Sequence, residues 1–247
     1  MSSATHVALT TADRRPMFTL DQIVPWGRSF DEYRRMFALT DAELRLRILA
    51  CADGPASFNA EATRRGAKVI SCDPLYRWDT HQIRQRIAAT CDMMLEETRR
   101  NAGEFVWSSI PTVEELGRVR MAAMQAFLDD FSSGKADGRY VDAELPLLPF
   151  PNASFDLALC SHFLFLYTVQ LGEEFHRAAI VEMCRVATEV RIFPLLALGS
   201  RMSRCVEPCL EHVSALGFEA EAVQVPYEFQ RGGDEMMRIR RSTRRDP

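Results

Sequence analysis

Two loops in this chain carry residues of the type and spacing that hold a nucleotide-like ligand. The first, in ILACADGPASF, has Gly54 to permit a tight turn. Around it are Ala50, Ala52 and Ala56, small enough for backbone to approach a ligand, with Asp53 supplying a carboxylate. The second, in VISCDPLY, closes an apolar run on Asp73, with Pro74 and Leu75 behind it. A carboxylate there can accept hydrogen bonds from both hydroxyls of a ribose, and Asp73 lies about twenty residues beyond the turn, the spacing nucleotide-type cofactors require. The competing role for Asp73 is local, as a cap on the turn before Pro74.

These two loops suit NAD as well as other nucleotides, and a third stretch separates the possibilities. VDAELPLLPFPNASFDLALCSHFLFLY has an acidic loop at Asp142, Ala143 and Glu144, a Pro-Phe turn, and Phe155-Asp156 opening an apolar run. This segment closely resembles class I S-adenosylmethionine (SAM) dependent methyltransferases, and EMCRV at Glu182 to Val186 is similar to that family's helix before the fifth strand. The resemblance covers Leu46 to Ile239 and implies SAM as cofactor, bound by Ala50, Ala52, Asp53, Gly54, Asp73, Pro74, Leu75, Asp142, Ala143, Ser161 and His162. It further implies that Asp142 reaches the adenine amino group and that Ser161, His162 and Phe163 face the reactive methyl. Members usually carry an acidic residue and two or three glycines in the first loop; here one glycine remains, and Asp53 stands in for the acid that would hold the amino group of SAM.

Two residues are candidates for catalysis. His162 sits at a strand end, where a general base is useful, although a histidine in so apolar a run more often makes a structural hydrogen bond. Tyr167 is the second, and like Tyr76 it is better suited to packing on a ligand than to moving a proton. The implied function is methyl transfer to a small-molecule acceptor that the sequence does not name. The alternative is a methyltransferase-like binding or scaffold protein without turnover, and the alanines at 50 and 52 are its best support.

The elements needed to place these residues follow from periodicity. Short apolar runs at Arg47 to Ala52, Lys68 to Asp73, Arg139 to Asp142, Phe155 to Cys160 and Val190 to Pro194 read as strands alternating with helices, the signature of a parallel sheet. Candidate strands at Ala220 to Val225 and Glu235 to Ile239 add a closing antiparallel hairpin. The fold class is therefore α/β: a Rossmann-like, mostly parallel seven-stranded sheet with helices on both faces. Residues 79–138 are too long for an ordinary crossover and read as a helical insertion, with helices near Thr80 to Asn101 and Thr112 to Phe131. Residues 1–45 read as an N-terminal arm and short helices, Ser29 capping one and Thr40 with Glu43 forming a capping box, and residues 46–247 as the methyltransferase-like domain.

Composition bounds the partners. The net charge of −4 is modest for 247 residues and basic residues cluster only from Arg238 to Arg245, so the footprint of a nucleic-acid binder is missing. No apolar run is long enough to cross a bilayer, and the expected location is cytoplasmic. Of seven cysteines, Cys51, Cys72 and Cys160 lie in strand-like runs where a thiol behaves as a small hydrophobe, so disulfides are not expected. Cys205, Cys209 and His212 share a helical face but lack a fourth ligand, and no metal is expected. Oligomeric state is not legible.

Overall fold

A computed structural model describes residues 24–241. The Ser- and Thr-rich arm expected over the first residues and the end of the basic tail lie outside the described residues. The elements, in chain order, are α1 (Phe30–Met36), β1 (Arg47–Cys51), α2 (Phe58–Arg64), β2 (Lys68–Cys72), α3 (Thr80–Arg100), α4 (Val113–Ala136), β3 (Tyr140–Val141), β4 (Phe155–Ser161), α5 (Thr168–Val186), β5 (Ala187–Phe193), β6 (Leu196–Ala197), β7 (Arg201–Met202), α6 (Val206–Ala215), β8 (Phe218–Gln224) and β9 (Glu235–Arg241).

Among the described residues seven strands form one sheet in the order β3-β2-β1-β4-β5-β9-β8, parallel through β5 and antiparallel in the closing β8–β9 hairpin. The fold is Rossmann-like, and the strand order reverses between β1 and β4, where such sheets place their ligand. Successive side chains of a strand point to opposite faces, and each central strand feeds two separate cores. Ile48, Ala50, Leu157 and Leu159 pack with α1 and α2 on one face, while Leu49, Cys51, Ala158 and Cys160 pack with α5 and α6 on the other. β3 is shorter than expected: it has two residues, and Asp142 has already left the ladder. β5 starts three residues earlier than expected, and the small β6–β7 hairpin was not expected.

Of the two helices in 79–138, α4 packs against α2 and β3 as a crossover helix does, and α3 lies against α4. The buried stripe of α4 includes Leu116, Arg120, Met124, Phe127 and Phe131; the last two join Tyr76 and Tyr140 in an aromatic cluster beside β3. No described helix is long and apolar enough to cross a membrane.

The segment before β1 is bound into this body. Ser29 and Glu32 form a capping box on α1, and Thr40 with Glu43 forms another on a turn of 3-10 helix. Arg191 of β5 donates to the Phe37 carbonyl at 2.7 Å and pairs with Glu43. Tyr33 stacks on Phe58 with ring centroids 4.6 Å apart. The closest approach is at Gly27, where an added Cβ would stand 2.1 Å from the carbonyl oxygen of Pro55. Because that oxygen is backbone, Gly27→Ala is expected to destabilise the protein by about 1–3 kcal/mol, as overpacking does. Urea denaturation checks this, and an unchanged midpoint would refute it.

Candidate active site

The loop after β1 leaves the sheet through Ala52 and Gly54, whose φ angles of 50° and 52° lie in the left-handed region. Glycine adopts this freely; alanine does so at a cost of about 1–2 kcal/mol, which the surrounding contacts must offset. Gly54 N–H donates to Asp73 Oδ2 at 2.9 Å and Leu75 N–H donates to Oδ1 at 2.7 Å, so Asp73 ties the first loop to the second and caps the turn after β2. Tyr76 holds the same loop by donating to the Gly54 carbonyl at 2.8 Å. Each Asp73 oxygen retains a second lone pair.

Over these loops opens a cavity of about 930 Å³, lined by Ala52, Asp53, Gly54, Asp73, Pro74, Leu75, Ala143, Ser161, His162 and Tyr167. Most residues the sequence singled out are thus brought together. Two are not on the wall. Ala50 is inside β1 with its methyl in the α1/α2 core, since strand alternation turns it away from the loop. Asp142 stands off the wall, 48% exposed, with Arg77 3.7 Å away, and the acidic side chain of this loop that lines the cavity is Glu144.

Asp53 is on the wall but turned inward. Ser71 donates to its Oδ2 at 2.6 Å and Tyr33 to its Oδ1. Burial raises its carboxyl to about 7, against those two hydroxyls and helped by the charge of Asp73. Burial likewise lifts Asp73 to about 6, opposed by the amides of Leu75 and Gly54 and reinforced by Glu144.

β4 delivers Ser161 and His162 to the same opening. His162 breaks out of the strand at φ 50°, its N–H on the Phe193 carbonyl at 2.7 Å and its Nδ1 2.9 Å from Ser161 Oγ. Burial, then the charges of Arg28 and Arg120, hold the imidazole well below its usual range, so it is neutral at pH 7. Tyr167 is buried, with its hydroxyl 3.4 Å from the N–H of Val24.

Sequence reasoning missed the residues contributed from before β1 and from the insertion. Trp26 and Arg28 line the cavity from one side; Trp78 and Arg86 line it from another, the guanidinium 4.3 Å above the indole ring centroid. The available signal was Pro25-Trp26-Gly27-Arg28, a loop-forming run that carries an aromatic ring and a cation.

No family model matches the chain. It is 32% identical over 223 residues to Uncharacterized protein MJ0045 of Methanocaldococcus jannaschii, an alignment covering 90% of this chain and 98% of that protein. The chain belongs to the family of this archaeal protein. Two solved structures are similar to this MJ0045-family chain. The TehB-like SAM-dependent methyltransferase from Corynebacterium glutamicum matches with a TM-score of 0.45 at 14% identity, over 85% of this chain and 87% of that one. Magnesium protoporphyrin IX methyltransferase from Synechocystis PCC 6803, with bound SAM, matches with a TM-score of 0.43 at 13% identity, over 86% and 91%.

In this member of the MJ0045 family, Asp53 makes a testable contribution to stability. Its folded pKa of about 7 lies above the ordinary 3.8. The native state therefore holds the extra proton between those values, and the stability it contributes is full below the lower one and lost as pH rises through the upper. Asp53→Asn is expected to flatten the decline in stability between about pH 5 and pH 8, read by urea denaturation at both. Equal slopes in the two proteins would refute it.

Proposed function

We propose that this protein transfers a methyl group from S-adenosylmethionine to a small-molecule acceptor. The observation that carries this reading is the 930 Å³ cavity at the strand-order reversal, with the Asp73 carboxylate on its wall beside a loop whose left-handed Ala52 and Gly54 expose backbone. The residues present fit such a cofactor. Asp73 has lone pairs left for ribose hydroxyls, Leu75, Ala143 and Pro146 offer apolar surface for a base, and Asp73 and Glu144 give the wall negative charge suited to a sulfonium.

When bound, the cofactor supplies an electrophilic methyl on a positively charged sulfur. The work left to the protein is alignment, which is worth several kcal/mol to a reaction between two held partners. Ser161, His162 and Tyr167 border the reacting region, and the neutral His162, whose cation burial and Arg28 disfavour, serves there as a hydrogen-bonding group that orients the acceptor. Trp26 and Arg28 from before β1, with Arg86, Ala89 and Thr90 of α3, line the sides of the cleft.

Calorimetric titration with S-adenosylhomocysteine tests the proposal. Saturable binding at micromolar concentration is expected. A folded protein that binds neither SAM nor S-adenosylhomocysteine would instead be a Rossmann-like scaffold.

A further inference from the structure

Beside the large cavity lies a second, smaller chamber of about 90 Å³. Val24, Trp26, Arg28, His162 and Tyr167 line both spaces and so form the partition between them. Beyond the partition the walls are mostly apolar, built from Met94, Phe105, Leu116, Leu166, Leu198 and Phe229, all part of the core that also holds α1 and α2. A cavity of roughly 150 Å³ holds a benzene molecule, so on the same scale this one holds about four heavy atoms.

The polar groups on these walls are mostly engaged within the protein. Thr98 donates its hydroxyl to the Met94 carbonyl at 2.7 Å, Gln230 Nε2 donates to the Ala197 carbonyl at 2.8 Å, and His162 Nδ1 lies 2.9 Å from Ser161 Oγ. Arg28 and Glu104 place one charge of each sign on the wall. An ion entering here would lose its water and meet no uncompensated charge in return, which is costly. An alkyl group instead meets apolar surface and restores the contacts that a void forfeits in proportion to its volume. One donor on the partition is open to a ligand: Arg28 Nε is buried and has no hydrogen-bond partner among the described residues. An uncharged oxygen satisfies it without upsetting the charge balance.

We propose that the chamber receives one end of the acceptor, a compact uncharged alkyl group of about four heavy atoms, joined to the rest through an uncharged oxygen that accepts from Arg28 at the partition. The proposal rests on the methyltransferase reading and narrows it. The acceptor is a small, neutral, partly aliphatic molecule, and molecules whose buried end is charged or aromatic are excluded. The atom that takes the methyl stays on the outer side of the partition, where Ser161 and His162 border the large cavity.

Met94 lines the chamber but not the large cavity, so its methyl group reports on this space alone. The test follows the methionine methyl resonances of the isotope-labelled full chain, with Met94 assigned through Met94→Leu. The titrants are n-butanol, butyrate and butylammonium, with and without saturating S-adenosylhomocysteine. n-Butanol is expected to shift the Met94 resonance saturably and to bind roughly tenfold or more tightly than either ion. From ethanol to n-butanol, affinity is expected to rise about fourfold for each added methylene. Leu116→Phe fills the chamber and is expected to abolish the shift, and Leu198→Phe does the same from another wall should Leu116→Phe not fold. With S-adenosylhomocysteine bound, the n-butanol shift is expected to persist. Absence of a Met94 shift, or butyrate or butylammonium binding as well as n-butanol, would overturn the proposal. So would an undiminished shift in the folded filled-chamber variants, or displacement of n-butanol by S-adenosylhomocysteine, since the chamber would then belong to the cofactor. Failure of S-adenosylhomocysteine to bind while n-butanol shifts Met94 and both ions do not would sink the methyltransferase reading and leave the alkyl-binding chamber standing.

Discussion

Replacing Glu32 with alanine is expected to cost about 3–5 kcal/mol of folding stability, the range found when one partner of a buried ion pair is removed. Glu32 is 2% exposed and receives hydrogen bonds from Ser29, Arg120 and Tyr227, so it links α1 to α4 and to the segment between β8 and β9. Without it, Arg120 and Arg28 stand near one another in the interior with no carboxylate between them. Burial alone would raise the Glu32 carboxyl, but Arg120, then Arg28 and Ser29, hold it far below the usual range. The sign with pH follows. Stability from a depressed carboxylate is present above its unfolded pKa of about 4.5 and is lost as pH falls toward the folded value. Urea denaturation at pH 7 should show the full loss, and the difference between wild type and Glu32→Ala should shrink on acidification toward pH 3. A loss below 1 kcal/mol at pH 7 would mean that the network contributes nothing net.

The second large effect is on ligand affinity. Asp73→Ala is expected to weaken S-adenosylhomocysteine at least 100-fold. It removes an acceptor placed for ribose hydroxyls, and each hydrogen bond to a charged group is worth about 1.5–3 kcal/mol. It also releases the amides of Gly54 and Leu75, so the two loops forming the floor of the cavity lose their common anchor. Because the carboxyls of Asp73 and Asp53 are lifted to about 6 and about 7, affinity in the wild type is expected to fall as pH drops from 8 to 6 and both take up protons. Calorimetry across that interval reads both effects. Wild-type affinity in Asp73→Ala would remove the ribose role and leave Asp73 as a turn cap.

The strands and helices were legible because their signals are local. Alternation along ILAC and LALC assigns each residue to one of two faces, and the capping boxes at Ser29 and Thr40 announce themselves by spacing. The loops at the carboxyl ends of β1, β2 and β4 were legible for the same reason. What could not be read is which way a side chain turns where no periodicity rules. Asp142 and Glu144 are equivalent as letters, yet one meets Arg77 off the wall and the other lines the cavity. Asp53 reads as a free carboxylate until Tyr33, twenty residues earlier, closes on it. A small chamber of about 90 Å³ beside the large cavity gathers residues from before β1, from α3 and α4, and from the segment between β8 and β9. No window of sequence contains it.

The thiols have a practical consequence. Six of the seven cysteines are buried, and Cys91, partly open on α3, directly follows Ala89 and Thr90 on the cavity wall. Burial and the neighbouring Asp92 raise its pKa, so it alkylates slowly at neutral pH and faster in mild base. The native chain therefore carries its own attachment point for an environment-sensitive dye, at a distance from the cleft where fluorescence would report ligand entry without a single engineered substitution.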